Sequence, residues 1–243
     1  MTFGRALSIV FAVGVVSAAA VGSRWRAPAP TPVPTLSKEE TVELARLRGL
    51  VELLPKLRPG VDPTFGPIVA SSARYHLIAP DRSFRDDCSG FVSAVFTDVG
   101  VPMNGVVASL YDQAVVHNAL HWEPVPLVGD LVFFDNTTDR NHNHKWDDPQ
   151  THIGIIVAVE PDGTALFAHA GTSSGRKLGR INVAQAGRAR DDDGNTLNSY
   201  LRSPSPGDPP TAGYLAGELW SGFSTIDPDK DWLTPPPPPE TWP

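Results

Sequence analysis

Hydrophobic positions follow two different periods along this chain. Ahead of Gly129 they recur at three- and four-residue steps, and beyond it they become contiguous or alternate. Leu44, Leu47, Val51 and Leu54 form one helical stripe, opened by the capping-box spacing of Ser37 and Glu40 and closed at Pro55, with Glu43 and Arg46 facing away. Arg58-Pro59-Gly60 and Asp62-Pro63 break the chain. Residues 68–76 read as a short helix carrying Tyr75 near its end. Phe91, Val92, Val95, Phe96 and Val99 mark the next helix, which Gly100 closes. Residues 106–120 read as another, with Val107, Leu110, Ala114 and Val115 inward, ended by Glu123-Pro124-Val125-Pro126.

Strand patterns follow. Residues 129–134 open on a glycine turn and continue as a buried apolar run. Residues 153–159 are rich in β-branched side chains, and Pro161-Asp162-Gly163 turns the chain into a hairpin partner at 164–169. Residues 180–183 read as a further strand, 190–195 as a charged turn, and 214–220 as a short segment on the sheet. Helices followed by an antiparallel sheet specify an α+β domain.

Composition places limits around this picture. The net charge of −7, without a basic stripe, argues against a nucleic-acid partner. Prolines crowd at 27–34 and 235–243, so both ends read as extended. Arg5 precedes an apolar run over 6–22, and Ala18-Ala19-Ala20 supplies a small-residue cleavage pattern: a secretory signal peptide, with an uncleaved anchor as the alternative. Either way the folded part is expected outside the cytoplasm, and the membrane is met only through that segment if it stays. The layout is thus a signal or anchor at 1–22, a proline-rich linker at 23–36, a packing helix and loop at 37–60, a folded domain at 61–225 and a proline-rich tail at 226–243.

The chemistry centres on Asp86-Asp87-Cys88-Ser89-Gly90-Phe91-Val92, which holds the only cysteine of the chain. Asp87 is a good N-cap, so Cys88 occupies the first turn of a helix, where unpaired N–H groups and the helix dipole favour a thiolate. A thiol pKa of about 8.5 falls by several units in such a place when an imidazolium is near. A lone cysteine in an exported protein has no internal disulfide partner; it is either buried and inert or deliberately free. The polar flanks of Cys88 argue for the reactive state. A nucleophile needs a base, and the base an orienting group. His152 begins the 153–159 strand, and His169 ends its hairpin partner, so the turn between them brings both imidazoles to one rim. His152 would take the thiol proton, and His169 would hold the His152 ring in the right tautomer.

Four blocks in this order, Asp87-Cys88-Ser89-Gly90-Phe91-Val92, Gly129-Asp130-Leu131-Val132-Phe133-Phe134, His152-Ile153-Gly154-Ile155 and Ala168-His169-Ala170, resemble the NlpC-type cell-wall peptidases. That family has a papain-like fold, with the nucleophile helix packed on a small antiparallel sheet. The resemblance implies a cysteine hydrolase of peptidoglycan stem peptides, with Cys88 as nucleophile, His152 as base and His169 as orienting residue. It also implies Tyr75 beside the oxyanion, although the glycine-rich stretch usual between that tyrosine and the cysteine is absent here. Asp87 and Ser89 would cap and orient. The implied partner is a peptidoglycan peptide, met by a monomer that requires no cofactor. Three readings compete: a CHAP-type amidase, a non-catalytic envelope-binding module that keeps the fold, and a transferase using the same residues.

Between the second and third blocks lies a polar insertion in which Asp139, Asn141, Asn143 and Asp147 take the spacing of a calcium loop. His144 stands where such a loop has glycine, and Gln150 where it has glutamate. A structural calcium and a polar turn without metal are both open readings, and His142 with His144 adds a transition metal as a third.

Overall fold

In the computed structural model the described residues are 62, 64–171 and 175–233, all within one compact unit, Ala45–Pro243. The segments expected as signal or anchor, as linker and as packing helix and loop at 37–60, and the end of the chain beyond 233, lie outside the described residues. Helices α1 (Phe65–Ile78), α2 (Cys88–Asp98) and α3 (Val107–Val116) come first. Strands β1 (Leu120–His121), β2 (Leu131–Phe134), β3 (His152–Val159), β4 (Ala165–Gly171) and β5 (Gly175–Ile181) follow, then a short helix α4 (Ala216–Leu219) and strand β6 (Trp220–Ser224). The strands form one antiparallel six-stranded sheet in the order β1-β6-β2-β3-β4-β5.

The sheet has a core on each face. Phe91, Val92, Val95 and Phe96 of α2, with Val69 and Ala73 of α1, pack on Leu131, Phe133, Ile153, Ile155 and Ala168. On the other face Val132, Phe134, Ile156 and Phe167 meet Ala216, Leu219 and Phe223. This is why β2 reads as an unbroken apolar run: every residue of it is buried, alternately on one face and the other. Entry into β2 requires glycine twice. A Cβ on Gly66 would stand 2.0 Å from the Val128 carbonyl oxygen, and Gly129 has φ +93°. Asp130 then accepts from the Leu127 N–H at 2.8 Å and from the Thr225 hydroxyl at 2.7 Å, tying the turn to the end of β6.

Several expectations change. Helix α3 stops at Val116; Asn118 takes φ 52°, and Leu120 pairs with Ser224 as part of β1. Val115 faces solvent, while Val107, Leu110 and Ala114 of the same helix are buried. Strand β5 begins at Gly175 rather than 180, because backbone pairing along the length of β4 carries it through polar residues. The segment expected at 214–220 is α4 and the start of β6, and β6 lies inside the sheet between β1 and β2. Packing also runs past 225: Ile226 and Trp232 belong to the first core. No helix among the described residues is long and apolar enough to cross a membrane.

Candidate active site

Helix α2 starts where its cap requires. Asp87 is extended (φ −135°, ψ 179°), and its Oδ1 accepts from the Gly90 N–H at 2.7 Å and the Ser89 hydroxyl at 2.9 Å. The Arg85 guanidinium donates to Ser89 Oγ at 2.7 Å and pairs with Asp87 at 3.2 Å. A Cβ at Gly90 would stand 2.0 Å from the Arg85 carbonyl oxygen, so the turn closes only over glycine. Replacing Asp87 by alanine is expected to lower stability by about 1 kcal/mol, read from urea denaturation. Arg176 of β5 braces the same turn, reaching Asp86 at 2.9 Å and lying 5.7 Å from the centre of the Phe91 ring. Its role was invisible in sequence, because β5 carries no apolar period there.

Cys88 thus stands in the first turn of α2, half-buried against the first core. The thiolate expected from the helix start does not follow. Burial pushes the thiol up, and the Asp87 carboxylate adds to this; the N–H groups of Ile153, Ser89 and Cys88 itself pull the other way without prevailing. The Ile153 contact sets the sulfur at the opening of β3, one residue along from His152.

The two histidines lie on the second face. His152 is paired with Phe134, their ring centres 6.0 Å apart, and His169 follows Phe167 by one alternation, at 5.0 Å. Gly154 and Gly179 make room for this arrangement. A Cβ on either would strike the Phe167 ring, at 2.9 Å and 2.3 Å. The space above Gly154 is therefore filled, and the ring filling it is the one that His169 packs on. His152 Nε2 and His169 Nδ1 are 2.8 Å apart, one hydrogen bond between two imidazoles. His152 thereby keeps Nδ1 for another proton. His169 Nε2 is buried without a partner. Among the described residues no hydrogen bond joins Cys88 to either ring; the thiol and the imidazoles come from opposite faces and share the β3 end through Ile153.

Burial holds both imidazoles neutral. His152 is lowered to about 4, by burial first and then by Lys177; His169 is lowered to about 3, by burial, His152 and Lys177. A histidine that charges in the unfolded chain near 6.5 but not in the folded one costs stability below that pH. Stability is therefore expected to fall as pH drops from about 6.5 towards 4, and to level off below the folded values. Urea denaturation at pH 7.5, 5.5 and 4.5 checks this, and a His152→Gln variant should flatten the slope.

Residues 74–186 match the NlpC/P60 family. This part of the chain belongs to it. No curated protein matches the chain, and no solved structure does. The NlpC/P60 segment has the α+β, papain-like organisation of helices on an antiparallel sheet, and the family is one of cell-wall hydrolases. Strand β6 and Trp232 lie beyond the matched residues yet complete the same sheet and core.

Other expected positions fall differently. Tyr75 sits on α1 with 58% of its surface exposed, its ring edge-on to His76, and the structure joins it to neither Cys88 nor the histidines. Asp139, Asn141, Asn143 and Asp147 do come together. Asn143 Nδ2 donates to Asp147 at 3.1 Å, Asn141 Nδ2 lies 3.4 Å from Asp147, and the His144 N–H donates to Asp139 Oδ2 at 3.0 Å. The amides thus turn nitrogen towards Asp147, where a cation would take their oxygens. Asp139 Oδ1 alone is left buried without a partner. Among the described residues no three His, Cys, Asp or Glu side chains cluster to hold a metal, His142 and His144 included. His144 has φ 58°, the left-handed conformation for which such a loop usually has glycine.

Proposed function

We propose that this chain is an exported cysteine hydrolase that cleaves an amide bond in the peptide stems of peptidoglycan through an acyl-enzyme on Cys88. The observation that carries the reading is the His152–His169 hydrogen bond of 2.8 Å at the strand end where the Cys88 thiol meets the Ile153 N–H. The resting site holds a thiol and two neutral imidazoles. His152 Nδ1 takes the thiol proton as sulfur attacks the carbonyl carbon, and His169 keeps the ring in place through Nε2. The oxyanion lies against the Cys88 N–H at the helix start, a donor whose loss costs about a hundredfold or more. The imidazolium then gives its proton to the leaving amine. Water, deprotonated by His152, attacks the thioester, releasing the carboxylate and restoring the thiol.

The reading calls on no cofactor, and any calcium at the Asp139–Asp147 loop would brace the approach to His152 rather than react. It takes a peptidoglycan peptide as partner and a monomer as the working unit. Digestion of purified muropeptides by the wild type and Cys88→Ala, followed by mass spectrometry, tests it: new peptide fragments are expected from the wild type alone, and equal product from both would overturn it.

One observation favours a second reading, a non-catalytic envelope module: burial leaves the Cys88 thiol above its ordinary range. Iodoacetamide labelling separates the two. An enzyme should show labelling that weakens in His152→Ala, and a module labelling that ignores His152.

A further inference from the structure

Helix α1 is apolar on both sides. Val69, Ala70 and Ala73 face the first core, while Ile68, Tyr75 and Ile78 point away from it, 55, 58 and 84% exposed. With the exposed Ser71 between them they form one outward row, at steps of three, four and three residues, the spacing of a single helix face. Arg74 is the one side chain of fixed charge on α1, and its guanidinium donates to the Val157 carbonyl of β3 at 3.1 Å. A helix that is apolar all round belongs in an interior. Just upstream, outside the described residues, the sequence supplies a matching stripe: Leu47, Val51 and Leu54, in the helix predicted to end at Pro55. Read backwards from Leu54 this stripe steps by three and then four; read forwards from Ile68, the row Ile68, Ser71 and Tyr75 does the same. Two antiparallel helices joined by a short connection meet in that opposed order. Residues 55–64, with the turn signals Arg58-Pro59-Gly60 and Asp62-Pro63, are the connection.

We propose that the outer face of α1 is the docking surface for the chain's own segment 47–54, which lies across it as an antiparallel helix with Leu54 over Ile68, Val51 over Ser71 and Leu47 over Tyr75. The small Ser71 side chain leaves room for the branched Val51 between the two larger pairs. The folded domain then begins ahead of residue 61, where the turn signals alone would start it. The docking also bears on the candidate active site. Arg176 reaches the His76 carbonyl at 3.4 Å and Asp86 at 2.9 Å, so the end of α1 braces the turn that leads to Cys88, and a cover on α1 steadies that brace. The packing stands apart from the hydrolase reading: absence of muropeptide cleavage would leave it untouched.

The test uses the full chain carrying Cys88→Ala, which leaves no native thiol. The pairs Leu54→Cys,Ile68→Cys and Leu47→Cys,Tyr75→Cys are treated with a short bismaleimide. Gly49→Cys,Tyr75→Cys is the control, since Gly49 falls on the opposite side of the predicted helix. Packed helix axes lie about 8–10 Å apart, within reach of the reagent. Links within one molecule, located by mass spectrometry of tryptic peptides, are expected from both pairs about tenfold faster than from the control, because docking raises the local concentration of the facing thiols. Linked dimers would show that a second copy covers the face, and equal linkage in all three proteins, or none, would show that the segment lies elsewhere; each result overturns the proposal. Thermal denaturation supplies an independent reading. Leu47→Gln and Tyr75→Gln should each lower the melting temperature by about 3–5 °C, and together by less than the sum of the two. A melting temperature within about a degree of the parent for Leu47→Gln, or losses that simply add, would overturn it as well.

Discussion

Replacing Cys88 with alanine is expected to lower the rate of stem-peptide hydrolysis by about 10⁴-fold or more, and replacing His152 with alanine by a comparable factor. In the proposed mechanism the two act as one unit. Burial keeps the Cys88 thiol protonated, so attack needs a base at the moment of bond formation. His152 is the imidazole whose Nδ1 remains open once Nε2 is bound to His169. Without sulfur there is no acyl-enzyme, and without His152 the sulfur keeps its proton. The double variant should therefore be no slower than the slower single one, because effects of residues that work together do not add. In the same mechanism His169 works through His152, to which it is hydrogen-bonded. His169→Asn, which can still accept from the ring N–H, should retain more activity than His169→Ala. Muropeptide digestion timed by mass spectrometry checks all five, and a Cys88→Ala,His152→Ala protein slower than the wild type by the product of the two separate losses would show the residues acting independently.

Replacing Trp232 with alanine is expected to cost about 3–5 kcal/mol of stability, the range for truncating a large buried aromatic side chain. Only 1% of Trp232 is exposed. Its ring packs on His117 with centres 4.5 Å apart, and its Nε1–H donates to the Asp227 carbonyl at 2.9 Å. Truncation would leave a cavity beneath α3 and remove the anchor of everything after β6. For a folded body of this size the melting temperature should fall by about 10 °C. Trp232→Phe, which fills most of the space but loses the N–H, should fall between. A shift within a degree or two of wild type in thermal denaturation would mean that the segment lies on the core without supporting it.

These outcomes bear on parts of the chain that differed in how openly the sequence displayed them. The start of α2 could be read locally: an aspartate cap, a polar turn and an apolar stripe at helical spacing act over a few residues, and the structure has each of them in place. The meeting of His152 and His169 could be read because a hairpin is a local device, its register following from the turn between the strands. Strand β6 could not. Its Ser221 and Gly222 carry little strand propensity, and it is seated by backbone pairing with β1 on one side and β2 on the other. Trp232 was hidden by the company it keeps, a few residues before a proline run that reads as tail. Tyr75 was expected through resemblance rather than local physics, and it lies on the outer face of α1.

By itself, then, the order of residues determined the α+β class, the cap that opens α2 and the pairing of the two histidines, because each depends on interactions between near neighbours or across one turn. Tertiary structure alone decided where β6 inserts, that Trp232 closes the core, that burial outweighs the helix start at Cys88, and that Lys177 stands beside the imidazoles. Those four depend on which distant surfaces exclude water from one another, and desolvation and charge proximity have no signature in a linear pattern until the chain has folded.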